Sequence, residues 1–175
     1  MKKLGVDTFL GMSYPPDTIM LIEQSKVLGF NTKVFFTAVG LPFEFMEKKF
    51  GKKTLQGIMG MGGMDPEFPA TKAYFDRYKK VIGRQADLNG GPMEYASLQI
   101  LQQAIEKVGE IDRKKVIEVI NTGTFDTIVG KIKFDNRLIS NAWLTGQYQN
   151  GEWVGLAPAD KRGAKEPIFP KPKWQ

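Results

Sequence analysis

Few side chains in this sequence are suited to covalent or acid–base chemistry. The 175-residue chain contains neither cysteine nor histidine, so the thiolate nucleophile, the commonest general base and the usual transition-metal ligands are all missing. Serine-triad, cysteine and zincin-type sites go with them. Acids such as Glu23, Glu44, Glu47, Asp65 and Glu67 are scattered, and no spacing forces two carboxylates into one cleft. The run Gly57-Ile58-Met59-Gly60-Met61-Gly62-Gly63 lacks the GxGxxG spacing, and no Gly-Lys-Ser/Thr closes it. It reads as a sharp chain crossing rather than a phosphate loop. Met59, Met61 and Met64 read as adaptable core filler. The residues call for no catalytic group, no metal and no cofactor, and the chain reads as a non-enzyme.

What remains is a pair of loops. Tyr14 and the segment Thr37-Ala38-Val39-Gly40 each directly follow an expected strand, and in an open parallel sheet ligands bind at the carboxyl ends of strands. An aromatic hydroxyl, a threonine and backbone amides would make a polar, stackable wall for a small molecule. Packing of Tyr14 against Pro15 accounts for that tyrosine equally well.

The elements that would carry these loops follow from the pattern. Residues 4–12 are largely apolar, as in a strand buried on both faces. A helix is expected from about Pro16 to Leu28, with proline at its start and Gly29 as a left-handed stop. Strands at 33–36 and 56–61 flank a helix over 43–50, which gives β-α-β-α-β, a parallel sheet and right-handed crossovers. After Met64-Asp65-Pro66 the pattern turns helical over 69–82, 92–108 and 112–120. Asp112 is the expected N-cap of the third helix, and Ile111 is placed to staple onto Val116. From Phe125 the period becomes two, and Asn150-Gly151 signals a type I′ hairpin between Tyr148 and Trp153. Four prolines at 158, 167, 170 and 172 mark residues 158–175 as a solvated tail rich in proline and lysine.

The formal charge of +6 narrows the partners further. Half of it lies in residues 158–175, where Lys161, Arg162, Lys165, Lys171 and Lys173 face only Asp160 and Glu166. Elsewhere the lysines are spread over helical faces without interleaved aromatics, so the chain does not read as a nucleic-acid binder. No window approaches the 18 or more apolar residues of a membrane span. The stretch after Lys2 and Lys3 is broken by Asp7 and is too short for the core of a signal peptide.

Several strings together carry a family likeness. They are Ser13-Tyr14-Pro15-Pro16-Asp17, residues 24–31, Glu94-Tyr95-Ala96 with Leu98-Gln99 and Leu101-Gln102, residues 125–130 leading to Ile132-Lys133-Phe134-Asp135, and residues 147–151. In this order over residues 4–157 the chain resembles the carboxy-terminal half of the leucine and branched-chain amino-acid-binding proteins, the type I solute-binding proteins of ABC transporters. The resemblance implies parallel-sheet, Rossmann-like lobes, incomplete here and ending in a β-hairpin. It places residues 1–65 in the second lobe, 66–140 in the first and 141–157 back in the second.

By the same resemblance the protein is the substrate-binding component of an ABC transporter, periplasmic or extracytoplasmic. It would take branched-chain amino acids or related small organic solutes, capture them by hinge closure and present them to a permease. Tyr14 matches the cleft-facing tyrosine of the second lobe. Residues 37–40 match the segment where amino-acid receptors commonly place an acid for the ligand ammonium, and Val39 stands there in this chain. Because an ammonium buried beside valine would lack a counter-charge, the resemblance extends as readily to a carboxylate or an aromatic acid as to an amino acid. The same lobes also serve as ligand-sensing modules of receptors and regulators. A half-length chain would expose apolar sheet edges and is expected to self-associate.

Overall fold

The computed structural model describes residues 2–139 and 141–175. In chain order the elements are β1 (Thr8–Gly11), α1 (Pro15–Val27), β2 (Val34–Thr37), α2 (Glu44–Leu55), β3 (Met59–Met61), α3 (Pro69–Ile82), α4 (Gly90–Val108), α5 (Arg113–Thr122), β4 (Thr124–Thr127), β5 (Gly130–Asp135), β6 (Leu138–Ile139), β7 (Thr145–Gln149) and β8 (Glu152–Ala157). They form two compact units. One contains the residues up to Met64 together with Trp143–Gln175, and the other is Asp65–Ala142.

The first unit holds a sheet of order β1-β2-β3-β7-β8. β1, β2 and β3 run parallel, with Phe9 opposite Phe35 and Phe36 opposite Met59, as the βαβαβ pattern requires. β7 and β8 add antiparallel. The Asn150-Gly151 turn has φ of +55° and +88° and joins Gln149 to Glu152 as a two-residue hairpin, the geometry that Asn-Gly favours. α1 starts on its two prolines, and its chain leaves through Gly29 at φ +57°. Ile22, Phe35, Leu41, Met46, Leu55 and Ile58 are fully buried between helices and sheet.

The second unit packs α4 and α5 against the antiparallel sheet β4-β5-β6. Ile100, Ala104, Val116, Phe125 and Ile132 form its core. Asp112 caps α5 by accepting from the Lys114 and Lys115 amides at 2.9 and 3.1 Å.

Four expectations need correction. β1 is not buried on both faces: it is an edge strand, and Leu10 is 64% exposed. The helix expected over 43–50 does break at Gly51 (φ +73°), as Gly-Lys-Lys suggested, but a further helical stretch beyond the break carries α2 on to Leu55. Ile111 does not staple onto Val116, because its side chain is 89% exposed. Lastly, residues 158–175 are not a solvated tail. Prolines exclude helix and central strand, but an extended chain docks well when its polar groups find partners.

Those partners are specific. The Lys171 amide donates to the Lys33 carbonyl at 2.8 Å, the Trp174 indole donates to the Phe30 carbonyl at 2.7 Å, and the Trp174 ring meets Phe35 edge-on at 5.2 Å. Gln147, fully buried, donates to the carbonyls of Gly57 and Ile168 and accepts from the Ile168 amide at 2.8 Å and from the Gln149 side chain. One side chain thus ties β7 to both the β3 approach and the terminal segment.

Replacing Gln147 with leucine leaves these buried backbone groups unpaired, and the Gln147→Leu variant should lose about 3 kcal/mol of stability, read as a lower urea midpoint with unchanged slope. Lys171 carries a second test. Its ammonium contacts Asn31 Oδ1 at 2.8 Å, the Pro172 carbonyl and the face of Trp174, all neutral groups, and burial lowers its pKa from 10.5 to about 8. The unfolded chain therefore binds the extra proton between these values, so stability should rise with pH from about 8 to 10.5. That rise should be missing in Lys171→Met.

Candidate functional site

The carboxyl ends of β1, β2 and β3 lie side by side because the strands are parallel and in close register. The Ala38 amide donates to the Gly11 carbonyl at 2.9 Å, and the Met61 amide donates to the Ala38 carbonyl at 3.0 Å. Three successive strand ends are thus laced together by one residue, with Ala38 in the middle and only 6% exposed.

Beside it, the turn into α1 is fixed by its own hydrogen bonds. The Thr18 amide donates to the Tyr14 carbonyl at 2.9 Å, and the Ser13 and Thr18 hydroxyls share a buried hydrogen bond of 2.7 Å. Residue 40 sits directly on that turn. A Cβ there would lie 1.9 Å from Thr18 Oγ1 and 3.0 Å from the Tyr14 carbonyl carbon, so only glycine lets the two loops touch. On the other side, Tyr148 donates its hydroxyl towards the carbonyls of Leu41 and Phe43 at 3.3 and 3.4 Å. Burial holds that phenol well above the ordinary tyrosine range, so it acts as a neutral brace beneath the loop.

The five residues singled out from the sequence are therefore brought together but not presented alike. Tyr14 is 71% exposed and Val39 is half-buried, so both reach the surface of the strand ends. Thr37, Ala38 and Gly40 are buried behind them. Thr37 is fully enclosed, and its hydroxyl has no hydrogen-bond partner. Both backbone polar groups of Ala38 are used within the sheet. The supporting residues Ser13, Thr18 and Tyr148 are not apparent from sequence, since their bonds join side chains to partners that only the fold brings near.

The glycine run before the crossing has a packing role. A Cβ at Gly60 would lie 2.7 Å from the Thr37 carbonyl oxygen, and one at Gly63 would lie 2.7 Å from the Gly155 Cα. No phosphate cradle is formed, because β3 is followed by an irregular stretch rather than a helix. Pro15 and Pro16 carry no N–H, so the start of α1 offers its positive dipole end with few donors. Among the described residues no three acids lie close enough to hold a metal ion, and no helix is long and apolar enough to cross a membrane.

The first unit thus carries an aromatic ring and an aliphatic side chain at the carboxyl ends of its parallel strands. The periplasmic binding protein family matches residues 1–152, and the chain belongs to that family. A curated relative, the leucine-, isoleucine-, valine-, threonine- and alanine-binding protein of Pseudomonas aeruginosa, is 26% identical over 137 residues, which is 78% of this chain and 36% of the relative. Among solved structures, the leucine-binding protein of Thermotoga maritima is 23% identical with a TM-score of 0.65, covering 89% of this chain and 46% of its own. An R. palustris ABC-transporter solute-binding protein in complex with benzoate is 16% identical with a TM-score of 0.67, covering 95% and 46%. The fold is that of the type I periplasmic binding proteins, and the chain spans less than half the length of each of these relatives.

Replacing Gly40 with alanine should push the loop carrying Val39 away from the Tyr14 turn. We expect Gly40→Ala to lower stability by about 1–3 kcal/mol in urea denaturation, whereas alanine at Gly90, where the nearest atom stands at 3.4 Å, should have little effect.

Proposed function

We propose that this chain is the solute-holding part of an ABC-transporter substrate-binding protein working outside the cytoplasm, and that its solute is a small organic acid with an apolar body. Tyr14 stacks on or hydrogen-bonds the solute and Val39 packs against it. Thr37, Ala38 and Gly40 hold that wall in place. The solute is bound and released unchanged.

The observation that carries this reading is half-buried Val39 at the laced strand ends. An ammonium enclosed there would lose its hydration without a counter-charge, at a cost of several kcal/mol. An aromatic or aliphatic body would gain about 25 cal/mol for each Å² of apolar surface removed from water. The benzoate-bound relative has a TM-score of 0.67 to this chain, which supports an aromatic acid as the first candidate to test, while the leucine-binding relatives support branched-chain amino acids.

The chain crosses between its two units at Met64–Asp65 and again at Ala142–Trp143. Two such crossings suit a hinge, and a solute that touches both sides of a hinge stabilises the closed state. A permease then reads closure. A sensing module of the same fold would use the same capture step with a different output.

A thermal-shift panel separates the solute classes. With benzoate and other aromatic carboxylates at millimolar concentration the melting temperature should rise in proportion to the logarithm of ligand excess, and Tyr14→Ala should abolish the rise. A larger response to leucine than to any carboxylate without an amino group would overturn the assignment of Val39.

A further inference from the structure

Within the first unit, the sheet edge that carries Tyr14 and Val39 does not end at β3. β7 runs antiparallel to β3, with Met61 opposite Thr145, and β8 runs antiparallel to β7, with Thr145 opposite Ala157. The Gly62 amide donates to the Leu144 carbonyl at 3.1 Å, and the Leu144 amide donates to the Ala157 carbonyl at 2.9 Å. The residues just before β7 and just after β8 therefore leave the sheet at the same edge as those that follow β1, β2 and β3. Trp143 and Lys161 belong to these two stretches.

Both are held in place. A Cβ at Gly155 would lie 2.3 to 2.6 Å from three atoms of the six-membered ring of Trp143, so the ring rests on the β8 backbone and only glycine admits it there. Gly155 is itself pinned, since its amide donates to the Met64 carbonyl at 2.8 Å and its carbonyl accepts from the Lys165 amide at 2.9 Å. The turn bearing Lys161 closes through the Lys161 amide on the Pro158 carbonyl and the Ala164 amide on the Lys161 carbonyl. The Lys161 ammonium stands 5.3 Å from the centre of the Trp143 ring. It is half-buried, and burial holds its pKa below the ordinary lysine value. A cation that has lost part of its hydration gains more from an arriving anion than an exposed one does.

We infer that Lys161 is the cation that receives the carboxylate of the solute, with Trp143 as the positioning residue that holds its ammonium at the sheet edge. The inference rests on the reading of the solute as a small organic acid. It supplies what Tyr14 and Val39 lack, a charge opposite to that of the acid. β3 and β7 separate β2 from β8, which at the usual strand spacing is about 14 Å, a span that an aromatic acid and an extended lysine stem cover together. Between them the chain leaves β3 through Gly62 and Gly63, which carry no side chain.

Calorimetric titration with benzoate and with its neutral isostere benzamide tests the charge. Benzoate should bind the chain, and Lys161→Met should weaken that binding about tenfold or more. Lys161→Arg should keep most of the affinity, and benzamide should bind all three proteins alike. Because methionine also removes the cation from the Trp143 ring, the unsubstituted chain carries a second measurement. Saturating benzoate should slow reductive methylation of Lys161 several-fold and leave that of exposed Lys173 unchanged. Benzoate binding indifferent to Lys161→Met, or bound benzoate that leaves Lys161 unprotected, overturns the role of Lys161 while the reading of the solute stands. Failure of the chain to bind benzoate or any other aromatic carboxylate overturns both.

Discussion

The contact between Gly40 and the Tyr14–Thr18 turn governs the carboxyl-end face of the sheet in the first unit. There is no room for even a methyl group between them, because the backbone at residue 40 lies directly against the Thr18 side chain and the Tyr14 backbone. That approach places Ala38 where it bonds Gly11 on one side and Met61 on the other, and it brings Tyr14 and Val39 to the same end of the sheet. Interiors packed this closely transmit displacement instead of absorbing it, so a change at residue 40 reaches all three strand ends.

The rest of the first unit braces these strand ends with hydrogen bonds. Tyr148 braces the loop from below through Leu41 and Phe43, and its strand is held in turn by Gln147, whose amide meets Gly57 and the terminal segment. That segment closes over Phe30 and Phe35 through Trp174. A polar, proline-rich stretch therefore contributes to the stability of strand ends built from residues more than a hundred positions earlier. Buried polar groups specify a single arrangement in this way only when fully paired, and Gln147 meets that condition.

Much of the fold was legible because it is written in local signals. Pro15 and Pro16 start α1, Asp112 caps α5, and Asn150-Gly151 closes the β7–β8 hairpin, each through backbone geometry that few other residues allow. The family strings added the architecture those elements belong to. Edge position was not legible: the apolar run around Leu10 has the composition of a buried strand, and composition does not reveal which neighbours are present. Nor was the docking of Lys171 and Trp174, since proline content argues against regular structure but carries no information on long-range contacts.

By itself the sequence determined that cysteine and histidine are missing, which turns and caps punctuate the chain, and that Tyr14 and residues 37–40 follow strands. Only the tertiary structure decided that Tyr14 and Val39 are presented while Thr37, Ala38 and Gly40 are buried as their support. The physical reason is that exposure is a property of neighbours distant in the chain: whether a residue at a strand end meets solvent depends on how closely other backbones approach it, and that distance is set by glycines and hydrogen bonds elsewhere.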